Sequence, residues 1–293
     1  MKKNIIIVLL LAVIAALLIF IRADKRIVIR KEYADVKNTE EGYTEVLTEA
    51  FTKGHTEAPA TEDTEAAAYA EKDNAVGSLP AEAEKTVVID PGHQSRGNSE
   101  KEPIAPGASE QKAKVSSGTS GIVSGTPEYA VNLQVSLLLR DELERRGYSV
   151  VMTRETNDVD ISNSQRANVA NSINADAFVR IHCNGSENQV AKGALTMCQT
   201  ASNPYCGNFY TQSRALSQCI LDSLCSATGT ENRGVTQTDT MSGINWCQVP
   251  VTIVEMGFMT NPEEDRLLND SQYQNKLSVG IANGIDNFFR TLY

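Results

Sequence analysis

From Thr86 onward the sequence alternates short apolar runs with longer segments that carry apolar residues at helical spacing. The runs TVVID, YSVVMTR, AFVRIH, GALTMCQ and VPVTIVEMGF have the length and apolar content of strands. Between them, segments such as TPEYAVNLQVSLLLRDELERRG and YTQSRALSQCILDSLCSAT predict helices with one broad apolar face. This alternation predicts an α/β fold, in which a mostly parallel sheet has helices on both faces. We assign residues 86–293 to this single domain.

The first 30 residues differ from the rest of the chain. Residues 1–30 contain an unbroken apolar run from Ile5 to Ile21, preceded by two lysines. Because this run is just long enough to cross a bilayer, we expect an uncleaved membrane anchor, with a cleaved signal peptide as the alternative. Five basic residues follow the run, and the positive-inside rule alone would keep the remainder in the cytoplasm. First-helix signals and large downstream domains can override this rule, and we expect the domain outside the cell membrane, against the count of positive charges.

An acidic segment separates the anchor from the domain. Residues 31–85 are rich in Glu, Thr and Ala and carry 14 acidic against 5 basic side chains, a net of −9 out of −10 for the chain. Such a segment cannot bury enough apolar surface to offset its ordering entropy, so we expect a disordered linker. The acidic balance also argues against nucleic acid as a partner, because nucleic-acid-binding proteins carry basic patches. The sequence carries no signal for an oligomeric state.

Four polar residues are predicted to meet at one edge of the sheet. His93 follows the first strand, while His182 and Glu255 lie near the ends of the strands AFVRIH and VTIVEMGF. Ligands of open α/β sheets bind at the carboxyl ends of the strands. Glu128 begins the first helix, which returns from the same edge. Two imidazoles and a carboxylate are typical of catalytic zinc sites, and a second carboxylate could carry protons.

Each of these residues also has a structural explanation. A histidine after a strand can simply be hydrogen-bonded within the fold, and Glu128 is a favourable charge near a helix N-terminus. Glu255 is harder to explain in this way, because a carboxylate in a buried apolar strand is costly unless it is paired, ligated or functional. Spacing alone therefore leaves both interpretations open.

Four stretches of the domain resemble a known family. They are VVIDPGH, EYAVNLQVSLLLRDELERRGYSVVMTRE, QRANVANSINADAFVRIHCN and VTIVEMGFMTNPEED, and they resemble the zinc-dependent N-acetylmuramoyl-L-alanine amidases of the type-3 amidase family. The resemblance covers residues 86–293 and implies that His93, Glu128 and His182 bind Zn²⁺ and that Glu255 is catalytic. The implied reaction is hydrolysis of the amide bond between N-acetylmuramic acid and L-alanine in peptidoglycan, for cell-wall remodelling or daughter-cell separation.

Two other functions would use the same residues. One is a zinc peptidase that cuts within the stem peptide, and the other is a non-catalytic peptidoglycan-binding relative. The latter should have lost a zinc ligand or the catalytic glutamate, and all four residues are present. Peptidoglycan is the expected partner in each case. The domain is then expected to be extracytoplasmic, on a single-pass anchor or secreted after signal cleavage.

Further residues are candidates for roles around the site. Asp90, in the turn before His93, is expected either to orient that histidine or to stabilise the turn. Asn184, Asn245 and Trp246 are the candidates for substrate contacts, with core packing as the alternative for Trp246.

Two segments and the cysteines complete the expectations. Residues 94–127, rich in Ser, Gly and charge, are expected to be a mobile loop at the rim of the site, either a lid or a plain insertion. Residues 232–250 are expected to form a wall of the substrate site. The six cysteines include no C-x-x-C pair, which argues against a structural zinc ion. Cys198 and Cys206 are the nearest candidates for a disulfide, with buried free thiols as the alternative, and Cys183 is expected to pack beside the metal.

Overall fold

The computed structural model describes residues 85–292, which contain eight strands and six α-helices. The strands are β1 (Thr86–Pro91), β2 (Asn98–Pro103), β3 (Gln111–Val115), β4 (Ser149–Met152), β5 (Ala177–Asn184), β6 (Ala194–Cys198), β7 (Asn232–Gln237) and β8 (Val251–Phe258). The helices are α1 (Glu128–Arg145), α2 (Asn163–Ser172), α3 (Tyr210–Thr228), α4 (Ser242–Asn245), α5 (Pro262–Leu268) and α6 (Ser271–Thr291). Within this part of the chain no helix has the length and apolar character needed to cross a bilayer. The expected anchor and, apart from Lys85, the expected linker lie outside the described residues.

Six strands form one sheet in the order β4-β1-β5-β8-β6-β7. Neighbouring strands run parallel, except that β6 and β8 are antiparallel. The predicted α/β fold with a mostly parallel sheet is therefore confirmed. This order places β1, β5 and β8 side by side, so the strand ends that carry the predicted site residues meet at one edge of the sheet.

Helices cover both faces of the sheet. On one face, α1, α3 and α6 pack against apolar side chains of the strands, which include Val87, Ile89, Val179, Ile181, Val254 and Met256. Helix α2 lies on the other face, where its Arg166 reaches Asp90 of β1. Successive residues of a strand point to opposite faces, which explains why Asp90 faces α2 while the preceding Ile89 lies in the apolar core.

Helices α3 and α6 pack with their main chains in contact. A Cβ atom on Gly284 would lie 2.3 Å from Cα of Ile220, and one on Gly280 would lie 2.9 Å from Cα of Leu224. The two glycines are four residues apart and therefore share one side of α6. Neither position admits a side chain unless the helices move apart.

Residues 94–127 contain a β-hairpin, so the expectation of a mobile loop is wrong for this part of the segment. Strands β2 and β3 pair in an antiparallel arrangement. The Glu102 carboxylate accepts hydrogen bonds from the main-chain N–H and the hydroxyl of Ser164, at the start of α2. The indole N–H of Trp246 donates to the carbonyl of Pro103 at 2.8 Å. The hairpin is thus held by contacts with distant parts of the chain.

Candidate active site

A fixed turn after β1 brings His93 to the edge of the sheet. His93 has a φ angle of +60°, a left-handed conformation that is unusual for a residue other than glycine. Buried Arg154 donates hydrogen bonds to the carbonyls of Pro91 and Gly92. Buried Arg166 donates to the carbonyls of Pro91 and His93. Two guanidinium groups therefore hold this turn in its unusual conformation.

Three side chains suited to metal binding converge beside the turn. Nε2 of His93 and Nδ1 of His182 lie 3.1 and 3.2 Å from the same oxygen, Oε1 of Glu128. The two ring nitrogens are 3.2 Å apart. Among the described residues these three form the one group of His, Cys, Asp and Glu side chains placed to hold a metal ion. The structure thus brings together the three residues predicted as zinc ligands, from the turn after β1, the start of α1 and the end of β5.

The hydrogen bond on the far side of the His93 ring sets the orientation of that ring. Its Nδ1 atom lies 2.9 Å from the main-chain carbonyl oxygen of Ser116 and 3.1 Å from the Ser116 hydroxyl. Since a carbonyl oxygen only accepts, Nδ1 carries the ring proton, and Nε2 keeps a lone pair directed at Glu128. Two acceptors, Nε2 of His93 and Oε1 of Glu128, therefore face each other at 3.1 Å. A positive charge between them would stabilise this arrangement.

Glu128 is buried and accepts three hydrogen bonds besides its contacts with the histidines. Oε1 accepts from the main-chain N–H of Cys183 and from the side-chain amide of Asn132, both at 3.1 Å. Oε2 accepts from the main-chain N–H of Thr119 at 2.9 Å. These donors fix the position of both carboxylate oxygens.

The protonation states of the cluster suit metal binding. Burial alone would raise the pKa of Glu128, but the contacts of its carboxylate, first the hydrogen bond with His182, outweigh burial and hold this pKa well below its usual range. Burial lowers the pKa of His182 to about 4, although the Glu128 carboxylate opposes the shift. At neutral pH an anionic carboxylate and a neutral imidazole face each other, and metal ligands need these forms.

Two glycines leave the space in which the ligand side chains lie. A Cβ atom on Gly92 would lie 2.2 to 2.5 Å from three atoms of the His182 ring, so this ring rests directly on the main chain. On the other side, a Cβ atom on Gly118 would lie 2.6 Å from Oε2 of Glu128 and 2.9 Å from Cδ2 of His93. The left-handed φ angle of Gly118, +79°, also favours glycine.

Glu255 stands beside His182. The two residues are register partners on the parallel strands β5 and β8, so their side chains leave the same face of the sheet. The Oε2 atom of Glu255 is buried and has no hydrogen-bond partner among the described residues. Burial, followed by the negative charge of Glu128, raises the pKa of Glu255 to about 8, with Arg180 opposing the shift.

A cleft of about 540 Å³ opens beside the ligands. His93 and Glu128 line it, together with residues from two loops, the segments 116–119 and 185–187. Two of the three metal-binding candidates, His93 and Glu128, are therefore accessible from this open cleft. This arrangement leaves room for a bound molecule next to a metal ion.

A family model described as N-acetylmuramoyl-L-alanine amidase matches residues 87–287. The chain belongs to this amidase family. The enzyme class that the sequence resemblance implied, an N-acetylmuramoyl-L-alanine amidase, is thereby confirmed.

Relatives of this amidase include two proteins of Bacillus subtilis (strain 168). The uncharacterized protein YqiI is 32% identical over 205 residues, which cover 70% of this chain and 85% of YqiI. The N-acetylmuramoyl-L-alanine amidase LytC is 28% identical over 206 residues, which cover 70% of this chain but only 36% of LytC. The solved structure of the apo form of the amidase Ami1 from Mycobacterium abscessus matches with a TM-score of 0.64 and 26% identity, covering 70% of this chain and 98% of Ami1.

Two of the residues expected to contact substrate have structural roles in this amidase. Asn245 is fully buried, accepts a hydrogen bond from the Asn203 amide and donates one to the carbonyl of Asp239. The expectation of a substrate contact at Asn245 is therefore wrong. Trp246 uses its indole N–H to hold Pro103 of the hairpin, in line with the alternative of a packing role.

Asn184 lies at the end of β5, close to the cleft of the amidase. Its side chain is partly exposed and accepts a hydrogen bond from the main-chain N–H of Gly185, which lines the cleft. A contact between Asn184 and substrate stays a prediction.

Asp90 was expected either to orient His93 or to stabilise the turn, and its contacts fit the second role. The carboxylate is fully buried and forms ion pairs with Arg166 and Arg180 at 2.7 and 2.8 Å. These cations, acting against burial, hold the pKa of Asp90 well below its usual range. The group that orients the His93 ring is Ser116. Asp90 stabilises the turn through Arg166, which also donates to the carbonyl of His93.

All six cysteines are free thiols, so the expected disulfide between Cys198 and Cys206 is wrong. Both of these residues are buried, as the alternative stated. Cys183 is also buried beside the ligands, and burial raises the pKa of its thiol well above the usual value. The main-chain N–H of Cys183 donates to Glu128 at 3.1 Å, which agrees with the expectation that Cys183 packs beside the site.

Sequence reasoning missed several residues that support the ligands. Asn132 had a usable signal, because it lies four residues after Glu128 and so shares one side of α1 with it. Gly92 is part of the quoted motif VVIDPGH, but its contact with the His182 ring depends on the packing of β1 against β5. Ser116 and Thr119 contact the ligand side chains through main-chain atoms. Every residue type has these atoms, so the sequence does not reveal such contacts.

Proposed function

We propose that this protein hydrolyses the amide bond between N-acetylmuramic acid and L-alanine in peptidoglycan, using a zinc ion held by His93, Glu128 and His182. The triangle formed by Nε2, Oε1 and Nδ1, with sides of 3.1, 3.2 and 3.2 Å, carries this proposal. Tetrahedral zinc with bonds of about 2.0–2.1 Å holds neighbouring ligand atoms about 3.3 Å apart, so the triangle fits such an ion closely. Two imidazoles and one carboxylate beside an open cleft form the ligand set of catalytic zinc sites.

Zinc at these ligands supplies Lewis-acid chemistry, because it polarises a carbonyl oxygen and makes water a stronger acid. Glu255 would carry the protons of the reaction. Its carboxylate accepts a proton from the attacking water and then donates it to the nitrogen of L-alanine as the C–N bond breaks. A pKa raised to about 8 by burial and by the charge of Glu128 suits this exchange near neutral pH. A nearby metal charge would lower this pKa and favour the carboxylate that accepts the first proton.

The cleft limits how much substrate the site can enclose. Its volume of about 540 Å³ lies within the range of small-molecule sites, roughly 300–1,000 Å³. It therefore has room for the groups around the scissile amide, and the rest of the glycan strand would lie outside. Ser116, Ser186 and Thr260 line the walls and offer hydroxyl groups to a polar glycopeptide.

The proposed substrate also implies a location for the domain. Peptidoglycan lies outside the cell membrane, so the domain would be extracytoplasmic. The apolar run from Ile5 to Ile21 would serve as a single-pass anchor, and residues 31–85 would extend from the membrane toward the wall. Fractionation of cells that produce the full chain distinguishes the two forms. An anchored protein stays with washed membranes, whereas a secreted protein appears in the medium without its apolar run.

The reaction is tested with the purified protein, peptidoglycan and zinc. The newly exposed amino groups are labelled and identified, with and without a chelator, for the native protein and for Glu255→Gln. New L-alanine amino termini that disappear with chelator and in the variant would support the amidase reaction. New amino groups on other residues would indicate a peptidase of the stem peptide. Binding without cleavage by the folded, zinc-loaded protein would indicate a non-catalytic peptidoglycan-binding protein.

A further inference from the structure

Residues 116–119 run across the candidate metal centre between two anchored ends, and we call this segment the brace. At one end it continues from strand β3 of the hairpin, where the carbonyl of Lys114 accepts a hydrogen bond from the Asn163 amide of α2. At the other end it leads into the turn of residues 121–125, which packs against helix α5. The brace is therefore fixed from both sides of the domain.

The brace touches two of the three proposed ligands. Its first residue, Ser116, accepts from Nδ1 of His93 at 2.9 Å, and its last residue, Thr119, donates its main-chain N–H to Oε2 of Glu128 at 2.9 Å. Between them, Gly118 packs against both ligand side chains with no space for a Cβ atom. A shift of the brace by a fraction of an ångström would therefore move His93 and Glu128.

A buried carboxylate on α5 anchors the brace at its second end. Oδ2 of Asp265 accepts the main-chain N–H groups of Val123 and Ser124 at 2.7 and 2.8 Å. Its Oδ1 accepts the Ser124 hydroxyl at 2.7 Å, and the Asp265 side chain is fully buried. The main-chain N–H of Ile122 adds a bond to the carbonyl of Met259 at 3.0 Å. None of these hydrogen bonds of Asp265 involves a proposed metal ligand.

We propose that Asp265 is a positioning residue that sets the metal affinity of the site by holding the brace against His93 and Glu128. This inference rests on the proposed zinc site. Partners that orient metal ligands typically change metal affinity by about 10–100-fold when they are removed. Asp265 would act in the same way, one step further from the metal.

Two pairs of variants of the full-length protein test this inference. Asp265→Asn weakens the anchor, and Glu263→Gln is its control, because Glu263 lies exposed in the same turn of α5. Gly118→Ala pushes the brace away from the ligands. Its control is Gly125→Ala, which has a similar left-handed φ angle, +69° against +79°, but no atom within 4 Å of the added Cβ.

The first readout is the affinity for Zn²⁺, measured by competition with a chelator, together with the absorption spectrum of the Co²⁺-loaded protein. Asp265→Asn and Gly118→Ala should each weaken zinc binding by about 10-fold or more and change the cobalt spectrum, while both controls match the native protein. The second readout needs no metal. The proton on Nδ1 of His93 should be protected from exchange in the native protein and exchange faster in Asp265→Asn.

The possible failures are distinct. A native protein that binds neither zinc nor cobalt would overturn the proposed zinc site and this inference with it. Normal metal affinity and normal spectra in folded Asp265→Asn and Gly118→Ala would overturn the role of Asp265 alone. Equal losses in the variants and their controls would also overturn it, because they would point to general destabilisation of the domain.

Discussion

Glu255 and His182 are register partners on the two central strands of the sheet, β8 and β5. A carboxylate that can carry protons and a proposed zinc ligand therefore stand side by side on one face. The sheet itself fixes the spacing between the two functions. Because the two residues have different proposed roles, a substitution of Glu255 should affect proton transfer, whereas a displacement of His182 should affect metal binding.

Replacing Glu255 with glutamine should abolish turnover and preserve metal binding. The amide has nearly the same shape but cannot accept and return a proton, so we expect kcat to fall by about 10²–10⁴-fold. Activity is measured as release of L-alanine amino termini, and zinc content by elemental analysis. Glu263→Gln, which removes a charge from the surface, should behave as the native protein does. Unchanged kcat in zinc-loaded Glu255→Gln would rule out a proton-transfer role.

The contribution of Glu255 to the stability of the metal-free protein should fall as the pH rises from about 5 to 8, while the lowered pKa of His182 contributes with the opposite sign below about 6.5. The Glu255 carboxyl ionises near its ordinary pKa of 4.5 in the unfolded chain, and burial raises this pKa to about 8 in the folded protein. The folded state holds the extra proton between these values, so this contribution to the free energy of unfolding falls with pH, by at most about 1.4 kcal/mol per unit. Urea unfolding in chelator should show a flatter pH dependence for Glu255→Gln. Parallel curves for the two proteins would contradict this assignment.

Gly92→Ala should disable zinc binding while the fold is kept. The main chain at Gly92 lies outside the left-handed region, so alanine brings no backbone strain. Its Cβ atom would, however, lie 2.2 Å from the nearest atom of the His182 ring and displace it. We expect zinc affinity to fall more than about 10-fold, by chelator competition. Gly107→Ala is the control for zinc affinity, since a Cβ atom there meets nothing within 4 Å and its effect is limited to the backbone strain of a left-handed φ angle of +74°. Normal zinc affinity in Gly92→Ala would argue against His182 as a ligand.

Asp90→Asn should strongly destabilise the domain. The change leaves Arg166 and Arg180 buried without their counterion, and breaking a buried ion pair typically costs about 3–5 kcal/mol. Urea unfolding measures the loss. Asp141→Asn is the matched control, because its ion pair with Arg140 involves a side chain that is 64% exposed and should contribute less than about 1 kcal/mol. Similar losses of unfolding free energy in both variants would mean that the buried ion pairs of Asp90 contribute no more to stability than the exposed ion pair of Asp141.

The sequence predicted those parts of the fold whose residue pattern alone determines them. The apolar runs identified β1, β5 and β8, and the rule for strand ends placed His93, His182 and Glu255 at one edge. Helix α3 was predicted with the bounds that the structure shows, Tyr210–Thr228.

Other elements depend on contacts that a residue pattern does not record. Strands β2, β3 and β7 are polar, and the hairpin is held by Glu102 and Trp246 through groups far along the chain. Asn245 was a candidate for substrate binding, but its buried side-chain amide forms hydrogen bonds with Asn203 and Asp239. Ser116 supports the His93 ring through a main-chain carbonyl, which every residue type possesses. Tertiary packing decided each of these cases.

The position of β8 in the sheet has a consequence for when the protein becomes active. It is the last strand along the chain, yet it fills the gap between β5 and β6. During synthesis, the three proposed zinc ligands are complete once residue 182 has emerged, whereas Glu255 arrives some 70 residues later, with the strand that joins the two halves of the sheet. Met259 and Asp265, which anchor the turn after the brace, emerge later still, so the site takes its final form only when the end of the domain joins the fold. Hydrolytic activity would therefore require closure of the sheet by β8, the strand that brings Glu255 beside His182.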